Sequence, residues 1–118
     1  MSELALRLIA ENKKTRATTL DLGNCGLTEL PPQALDCVWL ETLILSNIWF
    51  EYDFENKRWE QKTSQNKGEQ NKIEAHPPTL SRLRALKTLV FNNNPVSDLS
   101  PLANLTSLQN LFCNSTQV

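Results

Sequence analysis

The stretch from residue 86 to 118, LKTLVFNNNPVSDLSPLANLTSLQNLFCNSTQV, repeats itself. Leu86, Leu89, Phe91 and Asn94 return 22 residues later as Leu108, Leu111, Cys113 and Thr116. A fixed period of this length marks a solenoid. The frame is L-x-x-L-x-L-x-x-N, followed by Val96, Leu99, Leu102 and Leu105. A strand alternates faces at period two, so Leu89 and Phe91 point to one side and Thr88, Val90 and Asn92 to the other. Asn94 falls where the chain leaves the strand, and a buried amide there can bond backbone groups that the turn leaves unpaired. Pro95 cannot extend a ladder. Apolar residues spaced by three suit a tight, 3₁₀-like return. No single coil can bury its apolar inside, whereas stacked coils share a continuous core.

The same frame appears upstream. Repeat one, Ala17 to Trp39, carries Leu20, Leu22, Cys25, Leu27 and Leu30, and Pro31-Pro32 starts its return. Repeat two starts at Leu40 and continues with Leu43, Leu45 and Ile48, with Phe50 in the place of Val96. Phe50 lies 36 residues before Leu86, whereas Val96 lies 12 before Leu108, so the spacing predicts a 24-residue insertion within roughly Glu51 to Pro78. Ends held together by a scaffold make such an insertion inexpensive.

These frames resemble the leucine-rich repeat family, in its 22-residue bacterial form with an N-P-V-S-D-L-S-P-L connection. The resemblance covers Ala17 to Phe50 and Leu80 to Val118, and it departs at Cys25, Ile48 and Thr116, each on the Asn position. It implies an α/β fold: a right-handed leucine-rich repeat solenoid with a short parallel sheet, an N-terminal capping helix and one long insertion. The expected organisation is a single domain. Residues 1–16 are the helical cap, 17–50 repeats one and two, 51–79 the insertion, and 80–118 repeats three and four, open at the C-terminal end. The leading M-S-E-L-A-L-R-L-I and the aromatic insertion look like the leading repeats of bacterial multi-domain proteins of the Roco-like kind. Some of those carry a Roc–COR GTPase downstream, and no GTPase residue is present here.

Ser2 to Lys14 reads as the cap helix. Leu4 with Leu8 and Ala5 with Ile9 make one apolar stripe. Ser2 can cap it, Glu3 suits the first turn, and Lys13 and Lys14 suit the last. The stripe fits the open end of repeat one, or else a partner's surface.

The insertion has two parts. In WFEYDFENKRW, residues 49–59, Phe50, Tyr52 and Phe54 alternate with Glu51, Asp53 and Glu55, a half-buried strand pattern. Asn56-Lys57 can turn it back through Arg58, Trp59 and Glu60 as a hairpin. Residues 63–72 are polar and predict a mobile loop, and the prolines after His76 extend the chain toward Leu80. The tryptophans all fall between Trp39 and Trp59. Two readings of these aromatics stand: a satellite core anchoring the hairpin, or an exposed binding surface that includes Trp49, Tyr52, Phe54 and Trp59.

Little here points to catalysis. There is no phosphate-binding loop, no G-x-S-x-G, no H-E-x-x-H and no C-x-x-C. His76, the only histidine, precedes two prolines and reads as solvent-exposed. The three cysteines, Cys25, Cys37 and Cys113, match no zinc spacing. Cys25 and Cys113 read as small buried hydrophobes. No cofactor, metal or enzymatic activity is expected. The net charge of −1 supplies no basic footprint for nucleic acid or an anionic membrane. Without a bilayer-length apolar run or an apolar leader the expected location is cytoplasmic.

What remains is the concave strand face. Reading across the repeats gives three columns: Thr19, Thr42, Thr88 and Asn110; Asp21, Ile44, Val90 and Phe112; Gly23, Ser46, Asn92 and Asn114. Neighbouring strands lie about 4.8 Å apart, so each column is a ladder of side chains. An apolar stripe rimmed by small polar groups has the anatomy of a protein-binding surface, although such residues also suit any strand. The function expected is a protein–protein interaction module using Thr42, Ile44, Ser46, Thr88, Val90, Asn92, Asn110, Phe112 and Asn114. The alternative is a regulatory or targeting segment of a larger enzyme, a GTPase or ubiquitin ligase. Thr116-Gln117-Val118 starts a return that the sequence does not complete. That predicts an N-terminal piece of a longer protein, or self-association through an open end.

Overall fold

The computed structural model describes residues 2–113. The Asn-position residue Thr116 and the two residues after it lie outside the described residues. Helix α1 (Glu3–Thr15) opens with the Ala5 amide donating to Ser2 Oγ at 3.2 Å and closes on Arg16 in the left-handed region, φ 56°. Ala5 and Ile9 are buried in the core, and Leu4 and Leu8 pack at its margin.

Four short strands follow the repeat frame: β1 (Thr19–Asp21), β2 (Thr42–Ile44), β5 (Thr88–Val90) and β6 (Asn110–Phe112). They form one parallel sheet in the order β1-β2-β5-β6, with β3 (Ile48–Asp53) and β4 (Arg58–Thr63) making a separate hairpin. Leu20, Leu43, Leu89 and Leu111 are successive rungs of that sheet. The first three are buried, while Leu111 is 37% exposed. The returns each contain a 3₁₀ turn with proline near its start: Pro32–Asp36, Pro78–Arg82 and Ser100–Leu102. Proline there lacks an N–H that the turn would leave unpaired anyway.

Two buried asparagines tie the coils together. Asn94 sits as expected: its Oδ1 accepts from the Ile73 amide at 3.0 Å, and its Nδ2 donates to the carbonyls of Leu45, Phe91 and Asn92. The second is Asn71. Its Oδ1 accepts from the amides of Cys25 (3.2 Å) and Leu27 (2.8 Å), and its Nδ2 donates to the carbonyls of Leu22 and Leu45, both at 2.9 Å. Ile48 therefore does not hold the Asn position of repeat two. Ile48 begins the hairpin, β3 (Ile48–Asp53) paired antiparallel with β4 (Arg58–Thr63).

This moves the insertion. Phe91 and Asn94 are three positions apart, whereas Leu45 and Asn71 are 26 apart, so the extra 23 residues fall between them. They interrupt the turn itself, and the chain from Asn71 onward is coil again. Ile73 takes the place of Val96, and Phe50 does not. Leu80, Leu83 and Leu86 then stand where Leu102, Leu105 and Leu108 stand one coil later, all three fully buried.

Residues 63–72 are likewise anchored, in contrast to the mobile loop expected from their polarity. The Gly26 amide donates to the Glu69 carbonyl at 2.8 Å, and the Lys72 amide to that of Leu27 at 2.7 Å. A Cβ on Gly68 would run into the Asn24 carbonyl, so only glycine lets the returning chain pass this close. His76 is not solvent-exposed but 4% exposed, edge-on to Phe91 with ring centres 4.6 Å apart. It fills the inward place that Leu99 takes one coil later. Among the described residues neither ring nitrogen has a hydrogen-bond partner, and burial pushes its pKa down to about 4.

Trp39 belongs to the cap rather than to the insertion's aromatics. Its Nε1 donates to Asn12 Oδ1 at 2.8 Å, and the Arg16 guanidinium lies 4.7 Å over its ring. Asn12 Nδ2 in turn holds the Ala17 carbonyl at 3.0 Å. A satisfied polar group thus joins the helix to repeat one.

Candidate functional site

The hairpin lies across the sheet face turned away from the core. Its root is held at repeat one by Asp21. Asp21 Oδ1 accepts from the Gly23 amide (2.9 Å) and Ser64 Oγ (2.9 Å), and its Oδ2 from the Gln65 amide (3.0 Å). Asn66 Nδ2 donates to the carbonyls of Asp21 and Gly23 at 3.0 and 2.9 Å. Gly23 is pressed between Ser46 and Ser64, and a side chain there would strike the Ser46 carbonyl.

The far end is a tight turn. Asp53 Oδ1 accepts from the amides of Glu55 and Asn56, and its Oδ2 from Asn56 Nδ2 at 2.7 Å. Those bonds, the Asn56 side chain's first, hold the Asp53 carboxyl below its ordinary pKa. Lys57 takes the left-handed conformation that reverses the chain, φ 54°.

Between root and tip, Trp49 covers the middle of the sheet. It is 7% exposed and packs with Ile44 and Val90 in a small apolar cluster edged by Phe112. Its indole N–H donates to Glu51 Oε1 at 3.1 Å. Beyond it, Tyr52 pairs with Trp59 across the strands and meets both Trp59 (5.3 Å) and Phe54 (4.9 Å) edge-on. Phe54 is 83% exposed and Trp59 61%. Hairpin and sheet enclose a cleft of about 450 Å³, lined on one side by Trp49, Glu51, Tyr52, Phe54 and Trp59, and on the other by Thr42, Thr88, Val90, Asn110 and Phe112. That volume lies in the range of ligand sites.

The columns read from the sequence are therefore only partly open. Ile44 and Val90 are buried beneath Trp49 and offer no free stripe. Ser46 and Asn92 are buried at the hairpin root, where Ser46 Oγ donates to the Asn92 carbonyl at 2.8 Å and Asn92 Nδ2 to that of Ile48 at 3.2 Å. Thr42, Thr88 and Phe112 are half-buried, and Asn110 is exposed, its amide donating to Thr88 Oγ1 at 3.3 Å. Asn114 lies outside the described residues. The aromatics divide: Trp49 anchors the hairpin on Ile44 and Val90, while Phe54 and Trp59 stand exposed. Sequence reasoning missed Glu51 as a cleft residue and Asp21 as the hairpin's mooring. A carboxylate standing in line with an otherwise apolar column was the available signal for Asp21.

Cys25 and Cys37 are both buried. Burial, and secondarily Asp21, pushes the Cys25 thiol up to about 11; burial also raises that of Cys37, against the opposing charge of Lys13. A thiol so shifted is a poor nucleophile at neutral pH. Among the described residues, no group of three or more His, Cys, Asp or Glu could hold a metal ion, and no helix is long and apolar enough to cross a membrane.

Comparison with known proteins agrees with the repeat frame. The family model described as Leucine Rich repeats (2 copies) matches residues 84–118, and the model described as Leucine Rich Repeat matches residues 16–38. No curated protein matches the chain. Among solved structures, the chain is similar to a leucine-rich repeat protein of Leptospira interrogans at 18% identity and a TM-score of 0.39, over 91% of this chain and 34% of that one. It spans about a third of that protein's length.

Proposed function

Since the chain is a leucine-rich repeat protein, we propose that it is a protein–protein interaction module that takes its partner in the cleft between hairpin and sheet. Leucine-rich repeats generally serve protein–protein interaction, and the stacked coils are read as a right-handed solenoid, the hand that strand–crossover–strand connections favour. One observation carries the reading: Phe54 and Trp59 stand 83% and 61% exposed at the mouth of a cleft whose opposite wall holds Phe112. Large aromatics left in water beside a concavity are unusual in a monomer, and Trp and Tyr dominate binding hot spots. The partner is read as protein rather than nucleic acid. The chain's net charge is −1, and among the described residues no Lys or Arg lines the cleft.

A photo-reactive phenylalanine analogue tests this. Placed at Phe54, it is expected to crosslink a defined partner that is lost on Trp59→Ala. Placed at Val38, an exposed residue on the return of repeat one, it is expected to give none of that product. Equal yields from the two positions, or a product indifferent to Trp59, would show that the cleft is not the site.

A further inference from the structure

We infer that the cleft recognises a cation, and specifically the guanidinium of an arginine side chain on the partner. This deepens the interaction reading above and rests on it.

Three observations converge. First, the cleft is electron-rich: five of its lining residues are aromatic, one is a carboxylate, and none is basic. The faces of aromatic rings attract cations, indole most strongly. Second, Glu51 is uncompensated. The basic residues of β4, Arg58 and Lys62, both lie on Glu60, at 3.9 and 3.4 Å. Among the described residues Glu51 has no ion pair. Its hydrogen bond is to the Trp49 indole through Oε1, which leaves Oε2 available. Third, that bond pins the carboxylate beside an indole, so charge and ring are offered together. A guanidinium is planar, stacks on aromatic faces, and donates to carboxylates in a fixed fork. Its apolar stem would pass between Trp59 and Phe112, where an ammonium's tightly held water would be costlier to shed. The sheet wall adds Thr88 and Asn110, whose oxygens accept from the remaining N–H groups of such a head.

The probe is N-acetyl-arginine methylamide, with the neutral isostere N-acetyl-citrulline methylamide as control. Binding is followed on the intact chain by the indole N–H signals of Trp49 and Trp59. The arginine probe is expected to shift both signals saturably, and citrulline to bind about fivefold more weakly. Glu51→Gln retains an acceptor for the Trp49 indole and is expected to reduce arginine binding to the citrulline level. Raising salt is expected to weaken the arginine probe alone. Equal binding of the two probes overturns the cation inference while leaving the interaction site standing. An arginine probe that moves neither indole overturns it as well, and the Phe54 crosslink then decides separately whether the cleft binds protein.

Discussion

Asn71 and Asn94 donate to the same acceptor: their side-chain amides lie 2.9 and 3.0 Å from the carbonyl of Leu45. One buried oxygen thus receives a clasp from its own coil and another from the next. Asn71 reaches it after an excursion of more than twenty residues, yet lands in register because its four hydrogen bonds are all to backbone.

Removing that clasp is expected to be costly. In Asn71→Ala the amides of Cys25 and Leu27 and the carbonyl of Leu22 lose a partner in a dry interior. A buried group left unpaired costs about 1–3 kcal/mol, so a loss of about 3–5 kcal/mol is expected in denaturant unfolding. Asn104→Ala, at an exposed position, is expected to stay within about 0.5 kcal/mol of the parent. Equal effects would show that the amide ladder does not hold repeat two.

Gly68 gives a sharper steric test. Gly68→Ala places a methyl group against the Asn24 carbonyl, a backbone atom that cannot swing aside. Overpacking of this kind costs about 1–3 kcal/mol. The expected signature is faster amide exchange at Gly26 and Lys72, whose bonds to the carbonyls of Glu69 and Leu27 respectively would be pushed apart. Unchanged exchange there would mean that the returning segment has room to spare.

His76 predicts an acid limb in stability. Its folded pKa is about 4 against an ordinary 6.5, because burial disfavours the charged ring. The unfolded chain therefore binds the proton first. The neutral ring's contribution is complete above pH 6.5 and is lost as the pH falls toward 4. His76→Leu, which copies Leu99 one coil on, is expected to flatten Tm against pH across that window. An unchanged slope would assign the acid loss to other groups.

The two tryptophans of the hairpin are expected to separate stability from binding. Trp49→Ala uncovers Ile44 and Val90 and falls in the class that costs about 3–5 kcal/mol; its hairpin amides should exchange faster than those of β5. Trp59→Ala, at a largely exposed side chain, is expected to change stability by less than about 1 kcal/mol while abolishing the Phe54 crosslink. Comparable stability losses in both would contradict this division.

Much of the fold was legible because the repeat frame is a spacing rule. Leu20, Leu43, Leu89 and Leu111 could be aligned by counting, and the Ser2 cap and the Asn56-Lys57 turn follow from local chemistry. Counting failed where an apolar residue fell on the frame by chance. Ile48 and Phe50 sit where Asn94 and Val96 would place them, so spacing alone puts the break after Phe50. The signal that outweighs them is Asn71-x-Ile73 followed by Leu80, Leu83 and Leu86, a complete second half of a coil. His76 reads as exposed loop because prolines follow it, whereas its burial is set by three-dimensional position. The covered sheet face was not legible at all: alternation shows that Ile44 and Val90 point away from the core, but not that Trp49 returns to meet them.

The place where the chain leaves and rejoins its coil has an evolutionary meaning. Leu45 and Asn71 are hydrogen-bonded neighbours, so everything between them hangs from a single doorway in the scaffold. Its contents can lengthen, shorten or be exchanged for another cassette while the leucine rungs beneath stay in step. A lineage could in this way acquire new specificity by rewriting one appendage, with the price set by how many of the moorings at Asp21, Gly23 and Gly26 the newcomer can reproduce.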